Sequence, residues 1–339
     1  MEACSFCYQS FTVYETGFLT LRTADASDEL FQMGFYLSAD RFVRFLYSSK
    51  NQLKETLMKV NLLFTARQVD AALHKVKDPA PYQFHPLQVI YQHVLNEETV
   101  NLIQTGAFVS HLQPILHAQS GELYGYESLL RSADQEISPY HLFQTAQKTN
   151  MQSALDKKAR EAAIKARVNQ IPAGIKSFIN FLPSTIYNPE YCLKHTFDIV
   201  KKYDVSPEDL VFEVVETEKI EDMNHLKNIL DAYRKNGMKV ALDDLGAGFA
   251  TLEILRELHP DFVKIDRNYI SDCHENLEKH DFLANVINLG RKLNIQVLGE
   301  GVEKEEEFEF LKELGIDFVQ GYLFGKPALK PAEHLVRAI

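Results

Sequence analysis

The stretch Lys239–Leu252 reads KVALDDLGAGFATL. Val240, Ala241 and Leu242 have the composition of a short buried strand. The run ends on two adjacent acids, Asp243 and Asp244, and a Gly-Ala-Gly turn follows at once. Neighbouring carboxylates repel each other and gain nothing from apolar residues, so a strand that stops on two of them calls for a compensating cation. The glycines allow a tight turn beside the acids.

The same pattern recurs outward in both directions. Strand-length runs are GELYGYESLL, SFINFL, LVFEVVE, KVALDD, DFVKID, IQVLGE and DFVQGYLF. Amphipathic helical segments such as SALDKKAREAAIKARV, MNHLKNILDAYRKNG and HDFLANVINLGRKLN separate them. Strand and helix alternating in this way predict a parallel α/β fold. A (β/α)8 TIM-type barrel is favoured over an open doubly wound sheet, because no Gly-x-Gly-x-x-Gly turn follows an early strand. Each run carries a polar residue near its C-terminal end: Glu127, Asn180, Glu213 with Glu216, Asp243 with Asp244, Lys264 with Asp266, Glu300 with Glu303, and Gln320. A barrel brings these ends to one face, where active sites form.

The acids and amides among them are hard oxygen donors, and no histidine or cysteine stands with them. That set suits Mg²⁺ or Mn²⁺ and not zinc. Two such ions roughly 3.5–4 Å apart are a device for phosphodiester hydrolysis. One aspartate of the Asp243-Asp244 pair can bridge both ions. Lys264 is suited to orienting a water or neutralising developing charge.

Composition limits the alternatives. A net charge of −11 argues against a polymeric nucleic-acid partner held on a broad basic face. No apolar run approaches the roughly 20 residues of a membrane span, and MEACSFCYQS does not read as a signal peptide. Four cysteines in 339 residues are not a disulfide framework, so a cytoplasmic, reducing setting is expected. Cys4 and Cys7 have the spacing of half a zinc site, with no second half evident, and reduced thiols are the simpler expectation. His111, His117 and His141 show no ligand spacing and are expected at the surface. The run EKEEEFEFLKELG reads as a solvated helix face with Phe308 and Leu311 turned inward.

These residues, in order, resemble the EAL-domain cyclic di-GMP phosphodiesterases over about residues 97–339. The naming motif is similar to Glu127-Ser128-Leu129-Leu130-Arg131, after Gln113-Pro114-Ile115. Further matches are Asn180-Phe181-Leu182-Pro183, Glu213-Val214-Val215-Glu216, Asp243 to Gly248, Lys264-Ile265-Asp266, Glu300 to Glu303, and Gln320-Gly321-Tyr322. The resemblance implies a modified (β/α)8 barrel that hydrolyses cyclic di-GMP to linear pGpG with two Mg²⁺ or Mn²⁺ ions. It implies metal ligation by Glu127, Asn180, Glu213 and Asp243, with Asp244, Glu300 and Gln320 serving the second ion and its waters. Lys264 assists the nucleophilic water, Glu216 steadies the Asp-Asp loop, and Gln113, Leu129, Arg131 and Asp266 contact substrate. A homodimer through the barrel is also implied. The chain departs from the family pattern at Ser128, Gln147, Val215, Leu245 and Ala247. An inactive cyclic di-GMP receptor or interaction module is the alternative reading. A two-carboxylate glycosidase is disfavoured, because the chain has no Trp for sugar stacking and places a lysine among the acids.

Residues 1–95 are expected to form a smaller α+β domain, regulatory or partner-binding, and residues 96–339 the barrel. SFTVYETGFLTLRT and MGFYLSADRFVRFLY predict strands or a hairpin. NQLKETLMKVNLLFTARQVDAALHKV predicts a helix, with Leu53, Leu57, Val60 and Leu63 on one face, and KDPAPYQFHP predicts a linker.

Overall fold

A computed structural model describes residues 11–23, 27–65, 67–76, 81–134, 136–168, 170–215, 222–246 and 251–331. Cys4, Cys7, Glu216 and Ala247 lie outside the described residues. The chain divides into two compact units, Met1–Gly106 with Glu136–Leu155, and Ala107–Gln135 with Asp156–Ile339. The segments 96–106 and 136–155 therefore group with the first unit, whereas the sequence reading divides the chain between residues 95 and 96.

In the first unit the elements are β1 (Gly17–Arg22), α1 (Asp28–Gln32), β2 (Tyr36–Leu37), β3 (Val43–Tyr47), α2 (Lys50–Leu63), β4 (Asp70–His74), β5 (His85–Pro86), α3 (Leu87–Leu95), α4 (Glu97–Thr105) and α5 (Pro139–Lys148). The strands form an antiparallel sheet in the order β2-β3-β1-β4-β5. Alternate residues Leu19, Leu21, Val43, Phe45 and Ala71 share one core with Leu53, Leu57 and Val60 of α2 and Ile90 and Val94 of α3. Ser49 starts α2 by accepting the Gln52 N–H. The helix stops at Leu63, and Asp70–His74 is a strand, although Ala71, Ala72 and Leu73 are good helix formers. Pairing with Phe18–Arg22 of β1 outweighs that local preference. The expected linker ends in β5, which pairs with β4, so it is part of this unit.

The second unit is a closed eight-stranded barrel. Its elements are β6 (Phe108–His117), β7 (Leu123–Ser132), α6 (Gln152–Arg167), β8 (Lys176–Phe181), α7 (Pro189–Cys192), α8 (Lys194–Lys202), β9 (Leu210–Val214), α9 (Met223–Lys235), β10 (Lys239–Leu245), α10 (Leu252–Leu258), β11 (Phe262–Ile265), α11 (Arg267–Ile270), α12 (Leu277–Leu293), β12 (Gln296–Gly299), α13 (Glu305–Leu314) and β13 (Phe318–Gln320). Neighbouring strands from β7 to β13 are parallel, and β6 runs antiparallel to both β7 and β13. Ile115, Phe178, Val211, Ala241, Phe262, Leu298 and Phe318 fill one interior layer, with Tyr124 packed against it. Tyr124 stacks on Phe318 at 4.0 Å between centroids. This is the packed filling of a small barrel, not a pore. No helix among the described residues is long and apolar enough to cross a membrane.

Candidate active site

Side chains two positions apart on a strand point the same way. Two residues beyond the apolar layer, the strands therefore present polar groups to the same interior. Phe178 leads to Asn180, Val211 to Glu213, Ala241 to Asp243, Phe262 to Lys264, Leu298 to Glu300 and Phe318 to Gln320. On the reversed strand β6 the step runs backwards in sequence, from Ile115 to Gln113, which is in register with Glu127.

Lys264 stands at the centre, 1% exposed. Its ammonium lies 2.6 Å from Glu300, 2.7 Å from Glu213, 3.0 Å from Asp243 and 3.6 Å from Glu127. Burial alone would lower its pKa, but Asp243, Glu127, Glu213 and Glu300 together hold it well above the ordinary lysine value. It is cationic. Burial, with the charges of neighbouring acids, pushes the Glu213 and Glu300 carboxyls well up and that of Asp243 up, against the pull of Lys264. Glu127 goes the other way. Its burial penalty is outweighed by Lys264 and by hydrogen bonds from Gln320 and Asn180, so its carboxyl sits below the ordinary value. Gln320 Nε2 donates to Glu127 Oε2 at 2.7 Å, and Asn180 Nδ2 donates to Oε1 at 3.0 Å.

One ammonium does not satisfy this many acids. Asn180 Oδ1, Glu213 Oε1 and Gln320 Oε1 are buried and accept no hydrogen bond from the described residues. Such oxygens are costly unless a donor or a cation completes them. Asp243, Asp244 and Glu300 each offer an oxygen within 4.8 Å of the others, a grouping suited to a metal ion. Asp244 has φ 53°, and its N–H donates to Asp243 Oδ1 at 3.1 Å. Gly246 follows with φ 101°, and a Cβ there would lie 2.3 Å from the Tyr269 ring. The turn after the acid pair therefore requires glycine for both conformation and space.

The other expected residues have partners of their own. Arg131 is partly buried and donates to the Leu130 carbonyl at 2.7 Å. Leu129 is opposite His111 on β6. Gln113 Nε2 reaches the Gly325 carbonyl at 3.4 Å. Asp266 accepts the Asn268 N–H at 3.0 Å as N-cap of α11. Glu303 pairs with Arg267 at 2.9 Å. Gly321 lies against Val302, whose carbonyl would be 1.9 Å from an added Cβ, so the Gln320-Gly321 step admits only glycine there.

Some polar residues have purely local partners. Glu307, expected on a solvated face, is 1% exposed and accepts N–H groups from Asp272, Glu303 and Lys304. Phe308 and Leu311 turn inward as expected. His117 is not a plain surface residue. It packs edge-on to Tyr124 and tilted against Phe318. Cys192 and Cys273 are buried free thiols.

Comparison with known proteins agrees with this fold. Residues 96–327 match the family described as EAL domain. A probable cyclic di-GMP phosphodiesterase, PdeG of Escherichia coli (strain K12), is 34% identical over 236 residues, which is 66% of this chain and 45% of PdeG. The chain thus spans less than half of that relative. A standalone EAL protein from Vibrio cholerae O395, solved with c-di-GMP bound, is 33% identical with TM-score 0.62, covering 67% of this chain and 96% of that one. Klebsiella pneumoniae BlrP1, solved as a manganese/cy-diGMP complex, is 20% identical with TM-score 0.61 over 92% of this chain and 96% of that chain, a likeness of fold. The chain belongs to the EAL-domain family.

Proposed function

We propose that the barrel hydrolyses cyclic di-GMP to linear pGpG with two divalent ions, Mg²⁺ or Mn²⁺. The observation that carries this reading is the excess of buried oxygen donors around Lys264, three of them without a hydrogen-bond donor. The relatives described as cyclic di-GMP phosphodiesterases support the substrate.

The donor set fits the ions. Glu127, Asn180, Glu213 and Asp243 would hold one, and Asp243, Asp244, Glu300 and Gln320 the other with its waters. When bound, the ions would supply an activated water and Lewis-acid stabilisation of the reacting phosphate. The remaining work belongs to the chain. The amides of Asn180 and Gln320 fix both oxygens of Glu127, so its carboxylate is oriented in advance. Lys264 is held charged and is no base. It would donate a hydrogen bond to the attacking water and offset negative charge building on the phosphate. Gln113, Leu129, Arg131 and Asp266 are the proposed substrate contacts.

The test is product analysis by chromatography. Purified protein with Mn²⁺ should convert cyclic di-GMP to pGpG, EDTA should stop it, and Glu127→Gln should lower kcat by about 10²-fold or more. Tight cyclic di-GMP binding by the wild-type protein without pGpG formation would select the receptor reading instead.

A further inference from the structure

Asp156 lies on α6, outside the ring of strand-end residues, and is 2% exposed. Its carboxylate faces the end of β8. Oδ1 accepts the Leu182 N–H at 3.0 Å, and Oδ2 accepts the Thr185 hydroxyl at 2.9 Å. Arg160, also 2% exposed, holds the same carboxylate at 2.7 Å and reaches across to the Thr196 hydroxyl. The Thr185 hydroxyl oxygen also lies 2.7 Å from the Leu182 carbonyl, so its one proton is shared between that carbonyl and Asp156 across a short turn over Pro183. Leu182 is two residues beyond Asn180, so this buried network fixes the chain where it leaves the strand carrying a proposed ligand. Asn180 in turn donates to Glu127 and keeps Oδ1 without a donor.

We infer that Asp156 is a positioning residue for the metal site. It anchors the Leu182 amide and the Thr185 turn, and thereby sets the placement of the Asn180 side chain toward Glu127. A partner that orients a ligand from outside the first layer typically changes metal affinity or activity 10–100-fold. Asp156 is also the first residue of the barrel unit after the Glu136–Leu155 segment, which belongs to the first unit.

The inference rests on the proposed metal-dependent reading, and the experiment separates the two. Full-length wild type, Asp156→Asn, Thr185→Val and Thr185→Ser are compared by Mn²⁺ titration calorimetry and by hydrogen exchange of the 178–186 peptide. Asp156→Asn leaves Arg160 without its countercharge, so the milder Thr185 variants, which keep that ion pair, guard against loss of folding. The expected result is faster exchange of the peptide and Mn²⁺ affinity lowered about 10-fold in Thr185→Val and about 10–100-fold in Asp156→Asn, with Thr185→Ser near wild type. Variants that melt earlier but bind Mn²⁺ with wild-type affinity would overturn the positioning role and leave the metal site standing. Wild type that binds no Mn²⁺ would overturn the metal reading and this inference with it.

Discussion

Strands β8 and β9 carry a buried charge cluster at each end, and the two clusters are built differently. At the N-terminal end, Asp209 receives Arg167 at 2.5 Å, Lys176 at 3.2 Å and the Gly174 N–H at 2.9 Å. Arg167 also donates to the Ile175 carbonyl at 2.6 Å and the Ser177 hydroxyl at 3.0 Å. Here one acid meets two cations and neighbouring backbone. At the C-terminal end, four acids crowd one ammonium, and three oxygens have no donor. The first cluster is complete within the chain and ties strand starts to α6. The second is incomplete without added positive charge. Charge burial alone therefore does not mark a functional site; an excess of one sign with unsatisfied acceptors does. The split matches the division of barrels into a stabilising and a catalytic face.

The largest effect expected on stability comes from breaking the complete cluster. Arg167→Met leaves Asp209 with only Lys176 as countercharge and should destabilise the protein by about 3–5 kcal/mol in urea unfolding. Turnover per folded molecule should stay unchanged. Loss of turnover without loss of stability would erase the distinction between the two ends.

A smaller effect sets a buried neutral group in the first unit against both clusters. His93 is 1% exposed, packs against Phe11, lies near His85 and bonds the Thr149 carbonyl at 3.1 Å. Burial lowers its pKa from 6.5 to about 4. The unfolded chain takes up the proton first as pH falls. The contribution of neutral His93 is therefore complete above about pH 6.5 and is lost progressively toward pH 4, by up to about 3 kcal/mol. Urea midpoints across that range should fall with pH in wild type and less steeply in His93→Gln. Equal slopes would place the acid sensitivity elsewhere.

The smallest effect has the opposite sign. Glu300→Gln removes one surplus charge beside Lys264 and should raise the stability of metal-free protein by about 1 kcal/mol while lowering turnover, since active sites hold strain that neutralising substitutions relieve. The matching change at the other end, Asp209→Asn, should lower stability. The same sign at both ends would contradict the comparison.

Most of the candidate site was legible from the chain, because the period of two carries each apolar strand residue to a polar one, as from Val211 to Glu213 and Phe262 to Lys264. Strand β6 was not. FVSHLQPILH holds Pro114 in mid-strand and polar residues at His111 and Gln113, and it runs against its neighbours, so neither propensity nor the strand-helix rhythm announces it. Asp156 and Arg160 were missed for a related reason. Four residues apart on a charged helix, they read as a solvated surface pair, and only tertiary packing buries them. Likewise Arg167 reads as an ordinary basic helix end. Burial of a charged residue depends on what folds over it, which spacing along one element does not encode.

Equilibrium dialysis of the purified chain against Mn²⁺ tests the central claim most directly. Saturable binding of two ions per chain is expected, abolished for at least one of them in Glu213→Gln and unaffected in Arg167→Met. Absence of saturable binding in wild type, or equal binding in Glu213→Gln, would contradict it.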